Sequence, residues 1–293
     1  MRVLLLGGNG QLGTALQARL SGEVDLTVAT RADCDLSDPS GVAAFVSDAK
    51  PDVIVNAAAY TAVDLAETEQ EAAFAANAEA VGEIARAAAD SDALLVHFST
   101  DYVFDGTGTT PYREDDPVAP ANTYGASKLA GEQAVRDSGC RHLILRTAWV
   151  YGPVGKNFFL TILRLAGERE ELGIVADQQG CPTSTLWLAE ATAQIIAGPA
   201  TLYKDLRQTA HAVCAGDCSW FDFASAIVEG AKSRGADIKC RTINRLTTAD
   251  YPTPAARPAY SVLDTSRLQD QFGVAPPDWR EALETVLDQK FGA

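Results

Sequence analysis

The sequence predicts an α/β fold: a doubly wound parallel sheet with a smaller, interleaved C-terminal region. Three observations predict it. Short apolar runs alternate with helical stretches through about the first 150 residues, and uninterrupted apolar strands of this kind suit a parallel sheet buried on both faces. A glycine-rich turn, GGNGQLG at 7–13, joins the first apolar run to the first helical one. Beyond residue 150 the rhythm loses its regularity, although no low-complexity linker or internal repeat marks a boundary.

The elements follow in order. RVLLLGG reads as a strand and QLGTALQARL as a helix; DLTVAT is a strand, PSGVAAFVSDA a helix and PDVIVNAAA a strand. EQEAAFAANAEAVGEIARAAAD makes one long helix, ALLVHFST a strand, YGASKLAGEQAVRDS a helix and RHLILRT a strand. Strand alternating with helix in this way winds a sheet with helices on both faces. In the second half NFFLTILRLAGERE, TLWLAEATAQIIAG and GDCSWFDFASAIVEGAK are helical, and YPTPAARPAY is a proline-rich segment. The expected division is a dinucleotide-binding domain of Rossmann type over 1–150, with a returning segment near 177–210. Residues 151–176 and 211–293 would form the substrate-binding part, interleaved around a common cleft.

Composition narrows the function. The 293 residues are 47% hydrophobic and 22% charged, with core material ample for this size. Net charge is −15, from 24 basic and 39 acidic residues, the opposite sign to a nucleic-acid binder. No apolar run reaches the roughly 20 residues of a membrane span, and the first residues lack a signal-peptide pattern. The expectation is a cytoplasmic protein with no nucleic-acid or membrane partner. Its six cysteines, Cys34, Cys140, Cys181, Cys214, Cys218 and Cys240, are expected as free thiols. His211, Cys214 and Cys218 stand close together, but no second pair at ligand spacing follows, so no metal is expected.

The glycines at 7, 10 and 13 (or 8, 10 and 13) permit a tight turn and let a diphosphate approach the N-terminus of the first helix, where free N–H groups and the dipole favour anions. The acidic residue that would grip an NAD ribose is absent: the second strand ends in VATRAD, with Thr30 and Arg31 at that place. A cation there suits a 2′-phosphate, hence NADPH with NADH possible; the other reading of Arg31 is a solvent-facing charge. Thr100 and Asp101 follow a later strand and point into the crevice outside the strand ends.

Asn122 is a credible helix cap, and Tyr124 and Lys128 behind it are four residues apart, hence on one helix face. A cation beside a phenol stabilises the phenolate, making Tyr124 a better proton donor and acceptor near neutral pH. Alone, the pair is equally a surface tyrosine beside a solvated lysine. Ser/Thr, then Tyr, then Lys four residues on, beside a dinucleotide turn, is a proton-transfer constellation.

These motifs, with PDVIVNAAAYTAVD, STDYVFDGTG, LRTAWVYG, DQQGCPTS and YPTPAARP, resemble the extended short-chain dehydrogenase/reductases, and within them the branch that reduces nucleotide-linked 4-keto sugars. The resemblance covers about residues 1–290. It implies NADPH-dependent reduction of the C4 keto group of a dTDP-linked 4-keto-6-deoxyhexose, the product being dTDP-L-rhamnose, a donor for cell-envelope polysaccharide. Tyr124 would be the catalytic acid, Lys128 would bind the nicotinamide ribose and tune Tyr124, and Thr100 would hydrogen-bond the substrate. Gly10, Gln11 and Leu12 would line the diphosphate, and Asp35 and Leu36 the adenine. Ala59, Tyr60 and Thr61 would flank the cofactor from the end of the fourth strand, with Phe98 also on the cofactor side. Asp101 and Trp149 would touch the sugar, and Asn157 and Arg257 are candidates for the substrate diphosphate. Ala15 departs from a glutamate that some members use for a divalent metal at a dimer interface, although a homodimer stays possible. The alternatives are a ketoreductase for another deoxysugar, and a non-catalytic regulatory subunit similar to the methionine adenosyltransferase β-subunit.

Overall fold

The computed structural model describes residues 1–199 and 203–292. Residues 200–202, inside the expected returning segment, and residue 293, at the end of the expected second part, lie outside the described residues. The first half alternates as its sequence pattern dictates: β1 (Arg2–Leu6), α1 (Gln11–Leu20), β2 (Asp25–Ala29), α2 (Pro39–Ala49) and β3 (Val53–Asn56). Asp38 caps α2 by accepting from the Gly41 N–H, with Pro39 in the first turn, where a missing N–H costs nothing. Then come α3 (Gln70–Phe74), a π-helical turn (Ala75–Glu79), α4 (Ala80–Asp90), β4 (Leu94–Thr100), α5 (Thr123–Asp137) and β5 (Arg141–Thr147).

The expected long helix over 69–90 is therefore interrupted by a π turn, and its cause is visible. Asn77, buried inside that turn, uses its side-chain amide to accept from the Tyr60 N–H and to donate to the Tyr60 carbonyl, at 2.9 and 3.0 Å. Its own carbonyl lies against Gly131 of α5, where any Cβ would come within 2.0 Å of it. The widened turn lets the two helices approach through backbone.

The second half contributes β6 (Val150–Tyr151), α6 (Phe158–Glu168), β7 (Glu171–Val175), β8 (Gln179–Gly180), β9 (Thr183–Ser184), α7 (Thr185–Ile196) and β10 (Arg207–His211). After these come β11 (Cys218–Ser219), α8 (Trp220–Ser233), β12 (Thr242–Leu246), α9 (Ser266–Phe272) and α10 (Trp279–Phe291). The helices α9 and α10 have no counterpart in the sequence reading.

One six-stranded sheet runs β10-β5-β4-β3-β1-β2, with every pairing parallel. Successive β1 side chains point to opposite faces. Val3 and Leu5 join a core with Leu12 and Leu16 of α1 and Leu188 and Ile195 of α7. Leu4 and Leu6 join the opposite core, with Val46 of α2, Ile84 of α4 and Val135 of α5. The segment 185–211 thus returns to the sheet, and Leu268 of α9 also packs into the first core. A third core gathers Tyr151, Phe159, Phe223, Trp279, Leu283 and Leu287 from α6, α8, α10 and β6.

Candidate active site

Most candidate side chains lie at or just beyond the carboxyl end of a sheet strand or on the element that follows it, as the topology dictates, whereas Arg257 comes from the loop before α9. After β1, Gly7 takes a φ of +81°, and a Cβ on it would meet the Ala58 nitrogen at 2.8 Å. Gly13 packs α1 onto the same turn, with the Gly7 carbonyl oxygen only 2.0 Å from any Cβ placed there. Gly10 is the N-cap of α1 and offers no side-chain cap, so the first N–H groups of the helix face outward, as a diphosphate requires. Gln11, in the first turn, donates through Nε2 to the Val150 carbonyl at 3.2 Å.

Beyond β2, the Thr30 hydroxyl donates to Asp33 at 2.8 Å, and Arg31 pairs with Asp35 at 3.2 Å while staying largely exposed. Leu36 is buried behind them. Ala59, Tyr60 and Thr61 follow β3, which is the third strand along the chain and not the fourth as expected. The Tyr60 hydroxyl donates to Glu69 at 2.8 Å.

Asn122 caps α5 by accepting from the Gly125 N–H at 2.8 Å, which places Tyr124 in the first turn and Lys128 one turn on, both on the side facing β4. Lys128 is buried; its Nζ donates to the Phe98 carbonyl at 2.7 Å and lies 3.5 Å from His97 Nε2. It makes no hydrogen bond to Tyr124 among the described residues. Burial lowers the Lys128 ammonium to about 8, against a smaller opposing pull from Glu132. Burial likewise raises the Tyr124 phenol to about 12, reinforced by the negative charge of Asp101 and opposed by the Thr100 hydroxyl. The expected lowering of the resting phenol by Lys128 is therefore not seen. The lysine is engaged elsewhere, desolvation dominates, and Tyr124 keeps its proton at neutral pH.

Thr100 and Asp101 end β4, both nearly inaccessible. The Thr100 hydroxyl donates to Asp101 Oδ1 at 3.0 Å and accepts from the Tyr102 N–H at 3.2 Å, while Asp101 Oδ2 meets no hydrogen-bond geometry among the described residues, with the Ser261 hydroxyl also acting on the carboxylate. Burial raises the Asp101 carboxyl to about 6. The Tyr102 ring meets Tyr124 edge-on, with centroids 5.9 Å apart.

Trp149 follows β5 with φ +46°, a left-handed conformation uncommon for a bulky residue. Its indole stacks on Trp220 at 3.4 Å between centroids and lies over Gly180, where a Cβ would clash with the ring. Trp220 in turn donates to Gln178 Oε1 at 3.2 Å. Asn157 caps α6 and donates to Gln11 Oε1 at 3.1 Å, joining the second half to the glycine turn. Arg257 pairs with Asp64 at 2.9 Å. Both diphosphate candidates therefore already hold protein partners.

Among the described residues no three His, Cys, Asp or Glu side chains form a metal-ligating group, and no helix is long and apolar enough to cross a membrane. A charged groove of about 480 Å³ lies elsewhere, at Glu114, Asp115 and Arg267; it shares no residue with the Tyr124 site, and Arg267 pairs there with both Glu114 and Asp115.

The comparisons identify the family and the fold. The profile described as RmlD substrate binding domain matches residues 1–291. The chain belongs to that family. A dTDP-4-dehydrorhamnose reductase from Burkholderia thailandensis is 47% identical over 291 residues, covering 97% of each chain. Another from Escherichia coli K12 is 44% identical, covering 99% of this chain and 98% of the relative. A crystal structure of dTDP-4-dehydrorhamnose reductase from Bacillus anthracis, in complex with NADP, superposes with a TM-score of 0.91 at 38% identity and covers 98% and 99% of the two chains.

In this member of the RmlD substrate binding domain family, several residues beneath the site escaped the sequence reading: Asn56, His97, Ser99 and Glu132. A signal for them was present. In β4 the residues Leu95, His97 and Ser99 share one face, and in α5 Lys128 and Glu132 are four apart. Two polar residues spaced by two on a strand meet two spaced by four on a helix.

Proposed function

We infer that the protein reduces the C4 keto group of dTDP-4-dehydro-L-rhamnose to give dTDP-L-rhamnose, with NADPH as reductant. The family match over nearly the whole chain supports the reaction class. The observation that carries the chemistry is Tyr124, half-buried and protonated, within the charge and hydrogen-bond reach of Asp101 and Thr100 at the mouth of the sheet.

The cofactor fits the residues present. Gly7 and Gly13 let the turn close on its own backbone, and Gly10 leaves open the approach that a side chain would fill, at an uncapped helix start. Gly10, Gln11, Leu12 and Gly13 would hold the diphosphate, Thr30 and Arg31 the 2′-phosphate, Asp35 and Leu36 the adenine side. Ala59, Tyr60, Thr61 and Phe98 would flank the nicotinamide half. The chemistry NADPH supplies when bound is the hydride for C4.

The chain's own residues do the rest. Tyr124 gives its phenolic proton to the oxygen at C4 as negative charge develops there. Thr100 donates a hydrogen bond to the same region, and the Lys128 ammonium, anchored on Phe98, holds the nicotinamide ribose and offsets charge left on Tyr124. Asp101 Oδ2, a buried acceptor left open among the described residues, takes a sugar hydroxyl beside Trp149. We assign the sheet with 185–211 to the cofactor and the third core to the substrate, and place the reaction in the cytoplasm. The test is consumption of NADPH with purified dTDP-4-dehydro-L-rhamnose, set against other dTDP-linked 4-keto-6-deoxyhexoses. A preferred different sugar moves the assignment within the class, and no turnover with any of them supports a regulatory subunit.

A further inference from the structure

We propose that His97, fixed by Asn56, is a positioning residue for Lys128: it turns an N–H, not a lone pair, toward Lys128 Nζ and so favours the amine over the ammonium. Asn56 Oδ1 accepts from the Ala58 N–H at 3.1 Å, which identifies the oxygen of that amide. The atom facing His97 Nδ1 at 3.1 Å is therefore Asn56 Nδ2, and it can only donate. His97 Nδ1 must accept, so a neutral ring carries its proton on Nε2.

The ring is neutral. His97 is wholly buried, and desolvation, followed by the charges of Lys128 and His142, drives its pKa well below the usual imidazole range. Its Nε2–H then points at Lys128 Nζ across 3.5 Å. An ammonium has three donors and no acceptor, so this approach sets donor against donor; the neutral amine has a lone pair to receive the N–H. Lys128 still spends one donor on the Phe98 carbonyl.

The other groups around Lys128 do not reverse this. Glu132, on its own helix, favours the ammonium, but its carboxylate is already held by Arg146 and Arg136. Tyr124, on the same helix, is a protonated phenol, and Asp101, at the end of β4, bears on Tyr124. From β5, His142 acts on His97. In turnover the consequence, which rests on Tyr124 and Lys128 as the proton-transfer pair, is that the charge offered to a developing tyrosinate falls off on the alkaline side of neutrality.

Two substitutions separate tautomer from added charge. Asn56→Asp keeps the acceptor for Ala58 but puts a carboxylate opposite Nδ1, so the ring proton moves there and Nε2 turns a lone pair to Lys128. His97→Gln adds no charge and lets an amide oxygen face the ammonium. The Lys128 titration is followed by NMR of isotope-labelled lysine in the ligand-free protein, its signal assigned by its loss in Lys128→Arg. The expected midpoint is near 8 in the wild type and rises by about one pH unit, a tenfold change in acid constant, in both variants. The alkaline fall of kcat should move with it. Midpoints unmoved in both folded variants, or a wild-type His97 ring protonated on Nδ1, overturn the inference. Moved midpoints in a protein inactive on every keto sugar uphold it and remove the functional reading instead.

Discussion

Arg146 grips Glu132 through two donors, Nε to Oε1 at 2.9 Å and Nη2 to Oε2 at 2.8 Å, with both side chains out of reach of solvent. The Ser99 hydroxyl donates to the same carboxylate at 2.6 Å and Arg136 at 2.7 Å. This network ties α5, which carries Tyr124 and Lys128, to β4 and β5. Removing one partner of a buried pair leaves a charge uncompensated, so Arg146→Met should cost about 3–5 kcal/mol of unfolding free energy. The double variant Glu132→Leu/Arg146→Met should cost less than the single one, and urea denaturation measures both. Burial pushes the Glu132 carboxyl up, but Arg146, Ser99 and Arg136 together overcome it and hold it below its ordinary 4.5. The stabilisation is therefore present above that value and lost as pH falls through the lower folded one.

Asp101 has the opposite sign. Its buried carboxyl is raised from 3.8 to about 6, so across that window the folded protein holds a proton that the unfolded chain has released. Stability falls as pH rises through the window, and above it the full penalty is about 3 kcal/mol. Asp101→Asn should raise the unfolding free energy at pH 7 by up to that amount, flatten the dependence between pH 4 and 6, and lower turnover. Unfolding curves at several pH values check it.

The glycine turn separates folding from binding. Gly10→Ala places a Cβ no closer than 3.3 Å to the Gly7 oxygen; the variant should fold with a near-normal Tm and bind NADPH at least about tenfold more weakly, because the methyl group occupies the diphosphate's approach. Gly13→Ala meets the same oxygen at 2.0 Å and should lower Tm as well. Calorimetry and a binding titration distinguish the two.

Arg31 is shared between Asp35 and solvent, so its hold on a 2′-phosphate competes with that ion pair. Arg31→Ala should lower the ratio of kcat/KM for NADPH over NADH by about tenfold, the weight of one charge-assisted contact. Asp35→Asn, which frees the guanidinium, should raise it. An unchanged ratio in Arg31→Ala makes that residue a surface charge.

Local chemistry was legible in the sequence. Glycine spacing, a cap at Asn122 and the four-residue step from Tyr124 to Lys128 each follow from dihedral or helix geometry within a few residues, and the parallel sheet follows from its apolar runs. The contacts that set the protonation states were not, because they join residues far apart in the chain: His97 lies 31 residues from Lys128 and 41 from Asn56. The sixth strand, β10, pairs with β5 only after the chain has built much of the second half; a returning segment near 177–210 was expected, but no local pattern marks 207–211 as its strand. The π turn at Asn77 depends on the approach of Gly131. The phenol was misjudged for the same reason: spacing reveals that a cation is near, but only burial decides which way the proton goes.

The most direct test of the central claim is single-turnover reduction of dTDP-4-dehydro-L-rhamnose by NADPH, followed at the reduced-nicotinamide absorbance, in wild type and Tyr124→Phe. Wild type should oxidise the cofactor in step with formation of dTDP-L-rhamnose. Tyr124→Phe should bind NADPH with unchanged Kd and lose turnover by on the order of 10²-fold or more, because the only group removed is the proton donor. Near-wild-type reduction by Tyr124→Phe would contradict the account.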